Sequence, residues 1–146
     1  MSTQRAGDRG SMTVEVAFLL ALLVVPLFYL VATVGRVQAG AYAVSAAARE
    51  AGRTFVTATD APSAGGRAQA AAALVFDAHG FGPGEGTVSV TCEESICLSP
   101  GGRVVVETRI EVQLPLVPDF MRGSVPTSVA LSAQHVEAVD EYREGR

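Results

Sequence analysis

Residues 10–36 read GSMTVEVAFLLALLVVPLFYLVATVGR, and the way this stretch is interpreted decides the rest. From Val16 to Gly35 there is no charged residue, and Tyr29 and Thr33 are the only polar side chains. Twenty helical residues at about 1.5 Å each span roughly 30 Å, the hydrocarbon thickness of a bilayer, so the run reads as a membrane-spanning helix. Pro26 sits near its middle and removes one helix hydrogen bond, which a membrane helix tolerates when neighbours re-satisfy the backbone. Glu15 stands at the edge of the run, where it marks a boundary or seeks a cation. A buried core helix is a second reading of the run. A third is a secretory signal cut after Ala39 in VQAG, and a fourth an uncleaved signal anchor. Arginines at positions 5 and 9 precede the run and Arg36, Arg49 and Arg53 follow it, so charge bias alone does not orient it.

Working outward, 146 residues leave room for one small domain beside such a helix. All eleven basic residues are arginines spread along the chain, and a net charge of -4 without a basic stripe argues against nucleic acid. Beyond Arg36 the helical pattern continues. Val37, Ala41, Val44, Ala48, Ala51, Phe55 and Ala58 recur at alternating steps of four and three, a seam for a packed helix. A continuous helix from about Met12 to Ala58 is expected, with residues 11–35 in lipid and 36–59 as a stalk. Gly35, Gly40 and Gly52 weaken its continuity.

The cluster DAPSAGG, Asp60 to Gly66, reads as a breaker, and the Ala-rich GRAQAAAALVFDAHG, Gly66 to Gly80, as a second helix that can meet the first. GFGPGEG, Gly80 to Gly86, has no phosphate-binding register and reads as a turn into strands. The period then changes to two. TVSVTC places Val88, Val90 and Cys92 on one face. RVVVETRIEVQL places Val104, Val106, Thr108, Ile110, Val112 and Leu114 on one face, and VPTSVALSAQHV does so with Val125, Val129, Leu131 and Ala133. Pro115 and Pro118 end the central strand. The expected fold class is therefore α+β: a long transmembrane and stalk helix, a second Ala-rich helix and a small antiparallel β-sheet head spanning 60–146.

The two cysteines, Cys92 and Cys97, flank four residues around a turn between the first two strands. A disulfide there fits a compartment outside the cytoplasm, and free thiols are the alternative. Metal ligation lacks the usual spacing and further ligands. His79 ends the second helix and His135 lies in the last strand, each without an adjacent acid, nucleophile or metal motif. Glu93, Glu94, Asp140, Glu141 and Glu144 read as solvated charges. No catalytic constellation and no cofactor are expected.

One further pattern concerns the leader. GDRGSMTVEVAFLLALLVVPL, residues 7–27, resembles the prepilin leader, and AGAYAVSAAAREAGRTF with the strand-rich end resembles more loosely a TadE-like pseudopilin or minor pilin of the tight-adherence (Flp-type) pilus system. The resemblance implies a leader of residues 1–10, cleavage between Gly10 and Ser11 by a membrane prepilin peptidase, and Glu15 as fifth residue of the mature chain. Its carboxylate would pair with the new amine at Ser11 of a neighbouring subunit, making Glu15 an assembly determinant. Expected partners are the membrane, the prepilin peptidase, other pilin-like subunits and the pilus assembly machinery. The head, longer than a major pilin's, implies a minor or initiating role in the plasma membrane, a single pass with the head outside. A rival class is a secreted or membrane-anchored binding module.

Overall fold

The computed structural model describes residues 8–114, 123 and 126–142, with side chains from Met12 onward. Val125, Pro115, Pro118 and Glu144, each given a role by the sequence, lie outside the described residues. Five elements follow in order: α1 (Asp8–Val56), α2 (Ala61–Ala78), β1 (Gly86–Cys92), β2 (Arg103–Gln113) and β3 (Ser128–Ala138). The architecture is α+β, two helices on one face of a three-stranded antiparallel meander with β2 in the centre.

α1 runs unbroken for 49 residues with Pro26 inside it. Its two halves meet different surroundings. From Met12 to Val34 the large apolar side chains stand exposed, as in Phe28 at 71 % and Val31 at 64 %. From Gly40 onward the helix is the centre of the head, with Ala43, Val44, Ala47, Ala48, Ala51 and Phe55 buried. The second half, read as a stalk, is thus also the core element of the head. The buried stripe is wider than the expected seam and leaves Ala41 exposed. Packing explains this: α1 is pressed by β2 and β3 on one side and by α2 on the other, so two rows of residues are covered.

Small side chains permit the close approach. A Cβ on Gly40 would stand 2.6 Å from Val112 Cγ2 and 2.9 Å from Leu131 Cδ1, and one on Gly52 would stand 3.3 Å from Glu137 Cβ. These glycines, read from sequence as weak points, are where the sheet touches the helix. At Gly52 the helix lies over the edge strand β3.

The start of α2 differs from the sequence reading. The break is confined to the turn ending at Asp60, and Ser63, Ala64, Gly65 and Gly66 are already helical. Asp60 accepts a hydrogen bond from Ser63 N at 2.9 Å and Pro62 occupies the first turn, so a cap and an N-terminal proline start the helix despite the two glycines. α2 buries Ala64, Ala68, Ala72 and Phe76, a four-residue repeat that lies along α1.

The sheet follows the period-two reading. β2 alternates strictly, with Val104, Val106, Thr108, Ile110 and Val112 buried. β1 turns Val88, Val90 and Cys92 inward, and β3 turns Val129, Leu131 and Ala133 inward. The inner face of β3 continues into His135 and Glu137, both half-buried. Val106 pairs with Val90 on one side and His135 on the other, which fixes the register across all three strands. Thr108, the one buried polar side chain among the described residues, donates its hydroxyl to Val44 O of α1 at 2.8 Å, joining sheet to helix.

Candidate functional site

Among the described residues one helix, α1, is long and apolar enough to cross a membrane, and its most apolar window has no part buried by the chain itself. A water-exposed cylinder of leucine, valine and phenylalanine costs about 25 cal/mol for each Å2 left in water, so the surface calls for lipid or protein around it. Glu15 is exposed near the start of this half. The Gly10–Ser11 bond lies in the first turns of α1, whose backbone begins at Asp8. Thus the three residues singled out in the leader region share one helix end, with Glu15 about one turn beyond Ser11.

At the other end of the exposed half, Arg36 is the first charge after the apolar run. Its Nη1 donates to Gly80 O at 3.0 Å, and its guanidinium stands 4.2 Å from the centroid of the Phe81 ring. Phe81 is itself buried. The loop from α2 to β1 is therefore fastened to α1 at the level where the apolar surface ends. Sequence reading passed over this contact, because nothing in the spacing of Arg36 and Phe81, far apart in the chain, announces it. Thr33, one turn below, has its hydroxyl oxygen buried without a hydrogen-bond partner.

Cys92 and Cys97 lie at disulfide distance, with their Cα atoms 5.5 Å apart at the end of the head remote from Gly40. Arg103 Nε pairs with Glu93 at 2.9 Å, and Arg103 N donates to Glu94 Oε2 at 3.0 Å, so both glutamates close this loop as well as being exposed. His79 caps α2, its Nδ1 2.8 Å from Val75 O. His135 Nε2 stands 3.0 Å from Glu137 Oε2, beneath α1. Arg53 and Glu50 pair at 2.8 Å on the solvent side of α1, and the hydrogen bond from Arg53 holds the Glu50 carboxyl below its ordinary value.

Among the described residues no group of three or more His, Cys, Asp or Glu side chains is placed to hold a metal ion. The depressions are shallow. One of about 460 Å3 lies between α1 and α2 and is lined by Ala46, Ala71, Leu74, Val75 and Ala78 with Glu50 and His79. Another, about 350 Å3, lies on the outer face of the sheet around Thr87, Arg109 and Glu111. Neither gathers a nucleophile, a base and a group to orient it. The chain's most distinctive surface is the free half of α1. Comparison with protein-family models, with curated proteins and with solved structures finds no match.

Proposed function

We propose that the protein is a membrane-anchored structural subunit, a minor pilin or pseudopilin of a tight-adherence-type pilus, cut after Gly10 by a prepilin peptidase. The observation that carries this reading is the division of α1. A single helix serves as apolar rod over its first half and as head core over its second, with Glu15 at the tip of the rod. A helix built for export alone has no need to be continuous with the core of the domain it delivers. Packing of Gly40 against Val112 and Leu131, with Arg36 fastened to the α2–β1 loop, favours retention of the segment over a cut after Ala39. The cysteine pair supports a head outside the cytoplasm, where disulfides persist.

In this reading the apolar half of α1 sits in the plasma membrane and then among the helices of pilin-like partners. Cleavage leaves a cationic amine at Ser11. Glu15 of one subunit compensates the amine of another, because each charge is costly in lipid without its opposite.

The test is the first residue of the mature protein, determined by mass spectrometry of its N-terminal peptide. Ser11 is expected, and Gly10→Val is expected to abolish that terminus. A mature chain starting at Gly40 would replace this reading with a released binding module, and intact Met1 would leave a plain signal anchor.

A further inference from the structure

From Met12 to Gly35 every residue of α1 is exposed except two, Tyr29 and Thr33, which are half-buried, and the Thr33 hydroxyl oxygen is closed to solvent. One face of the apolar half is therefore covered at this height. Thr33 stands seven residues before Gly40 and eleven before Val44, and both intervals return to within about 20° on an α-helix. Gly40 abuts Val112 and Leu131, and Val44 O takes the Thr108 hydroxyl, so Thr33 faces the side of α1 on which the sheet lies. Tyr29, four residues before Thr33, shares that face. The loop between α2 and β1 meets α1 above both, at Arg36 and Gly40.

β2 descends toward this surface. It meets Gly52 at Val106, Val44 at Thr108 and Gly40 at Val112, so it runs antiparallel to α1. A strand advances about 3.3 Å per residue against about 1.5 Å in a helix, which brings Leu114 roughly 7 Å below Gly40, with Thr33 about 4 Å and Tyr29 about 10 Å lower still. Leu114 N donates to Thr127 O at 2.8 Å, closing the ladder between β2 and β3 at that height. Residues 115–126 therefore leave and re-enter the head at its edge nearest the apolar half. With half of them running out and half back, they reach as far as about 20 Å, well past Tyr29. The first part of this connection, PLVPDFMR at 115–122, offers Leu116, Val117, Phe120 and Met121 as apolar surface. Pro115 and Pro118 carry no N–H that an apolar contact would leave unpaired.

We infer that the face of α1 carrying Tyr29 and Thr33 is the docking surface for the chain's own segment 115–122. The single chain already closes the Thr33 oxygen, so the cover comes from within it rather than from a second copy or a foreign helix. This segment begins one residue beyond Leu114, on the correct side of α1 and with an apolar composition to match. Resting on the membrane reading above, the contact at Tyr29 lies about 9 Å below Gly35, where the apolar run ends, so the head is seated in the surface of the bilayer instead of standing clear of it. The covered face is withdrawn from lipid and from partner helices. The opposite face, with Leu27 and Val31, is left to them.

The experiment places a photo-crosslinking residue, one at a time, at Tyr29, Thr33 and Val31 of the full-length protein in its native membranes, with a fourth probe at Arg36 as reference for the contact with Gly80 and Phe81. The expected result is an adduct of monomer mass from Tyr29 and Thr33, mapped by peptide mass spectrometry to 115–122, and none on that segment from Val31. Leu116→Ser, Val117→Ser, Phe120→Ser and Met121→Ser combined should lower the Tyr29 adduct at least about tenfold, the scale of one buried apolar side chain, with the Arg36 adduct unchanged as the sign of an intact head. Capture of a second copy, of another protein or of lipid alone from Tyr29 and Thr33 would overturn the inference. So would equal yields on 115–122 from Val31, or a Tyr29 adduct indifferent to the four substitutions, which would mark mere nearness of the loop. Recovery in washed membranes is scored separately: a protein absent from them would remove the membrane reading, while the adduct on 115–122 would still decide the contact.

Discussion

At the scale of single residues, Gly40 shows most directly how side-chain size decides the packing. Any side chain there must displace Val112 or Leu131 from a filled layer. Gly40→Val is expected to cost about 1–3 kcal/mol by overpacking, read as a lower unfolding temperature of the detergent-solubilised chain. Asp60 acts through charge instead. The backbone N–H of Ser63, then the Ser63 and Thr59 hydroxyls, hold its carboxyl below the ordinary value. Because the folded state lowers this group's pKa, its stabilisation is present above the unfolded value of about 3.9 and disappears as pH falls through the folded one. Asp60→Ala should therefore unfold at lower temperature than the parent at pH 7, and the gap should close in acid. The glycines and Asp60 also mark what a sequence discloses. The cap and Pro62 were present as signals, yet Gly65 and Gly66 outweighed them in the reading, because helix propensity is local while α2 is held by its four-residue alanine stripe against α1.

At the scale of elements, β2 was legible almost residue for residue, since a strand buried on one face alternates whatever surrounds it. β3 was legible only through Ala133. Beyond it His135 and Glu137 face inward, and polar residues under a helix edge carry no hydrophobic period to read. For α1 the existence and extent of the helix were plain, while the width of its buried stripe was not, because width depends on how many partners press on it. The β1–β2 connection is held by the Cys92–Cys97 pair together with the Glu93–Arg103 ion pair. A short cross-linked loop restrains the unfolded chain modestly, so Cys92→Ser with Cys97→Ser is expected to cost about 2 kcal/mol without changing the fold. Denaturant unfolding followed by circular dichroism would measure it, and an unchanged midpoint would show the loop to be held by its other contacts.

At the scale of the whole molecule, the long apolar helix and the strand-rich head were both legible as parts, but their junction was not. Contacts of Arg36 with Gly80, 44 residues away, and with the adjoining Phe81 lie beyond any local pattern. The sequence places Glu15 beside the apolar run and the structure leaves it exposed there, while the assembly role proposed for it involves other chains that a single chain does not contain. On the proposed function, Glu15→Ala is expected to leave cleavage, membrane insertion and head folding intact and to impair incorporation into the assembled structure. Quantifying the variant in membrane and sheared surface fractions tests this, and normal incorporation would take Glu15 out of the mechanism.

The unbroken course of α1 has a mechanical consequence. With no linker between the apolar half and the core of the head, the protein behaves as a lever about 73 Å long whose handle is the head. A tilt of ~10° in the apolar half sweeps the far end of α1 through ~13 Å, and, with that half held in a bilayer as proposed, a sideways load on the head returns to the membrane as torque on the same rod.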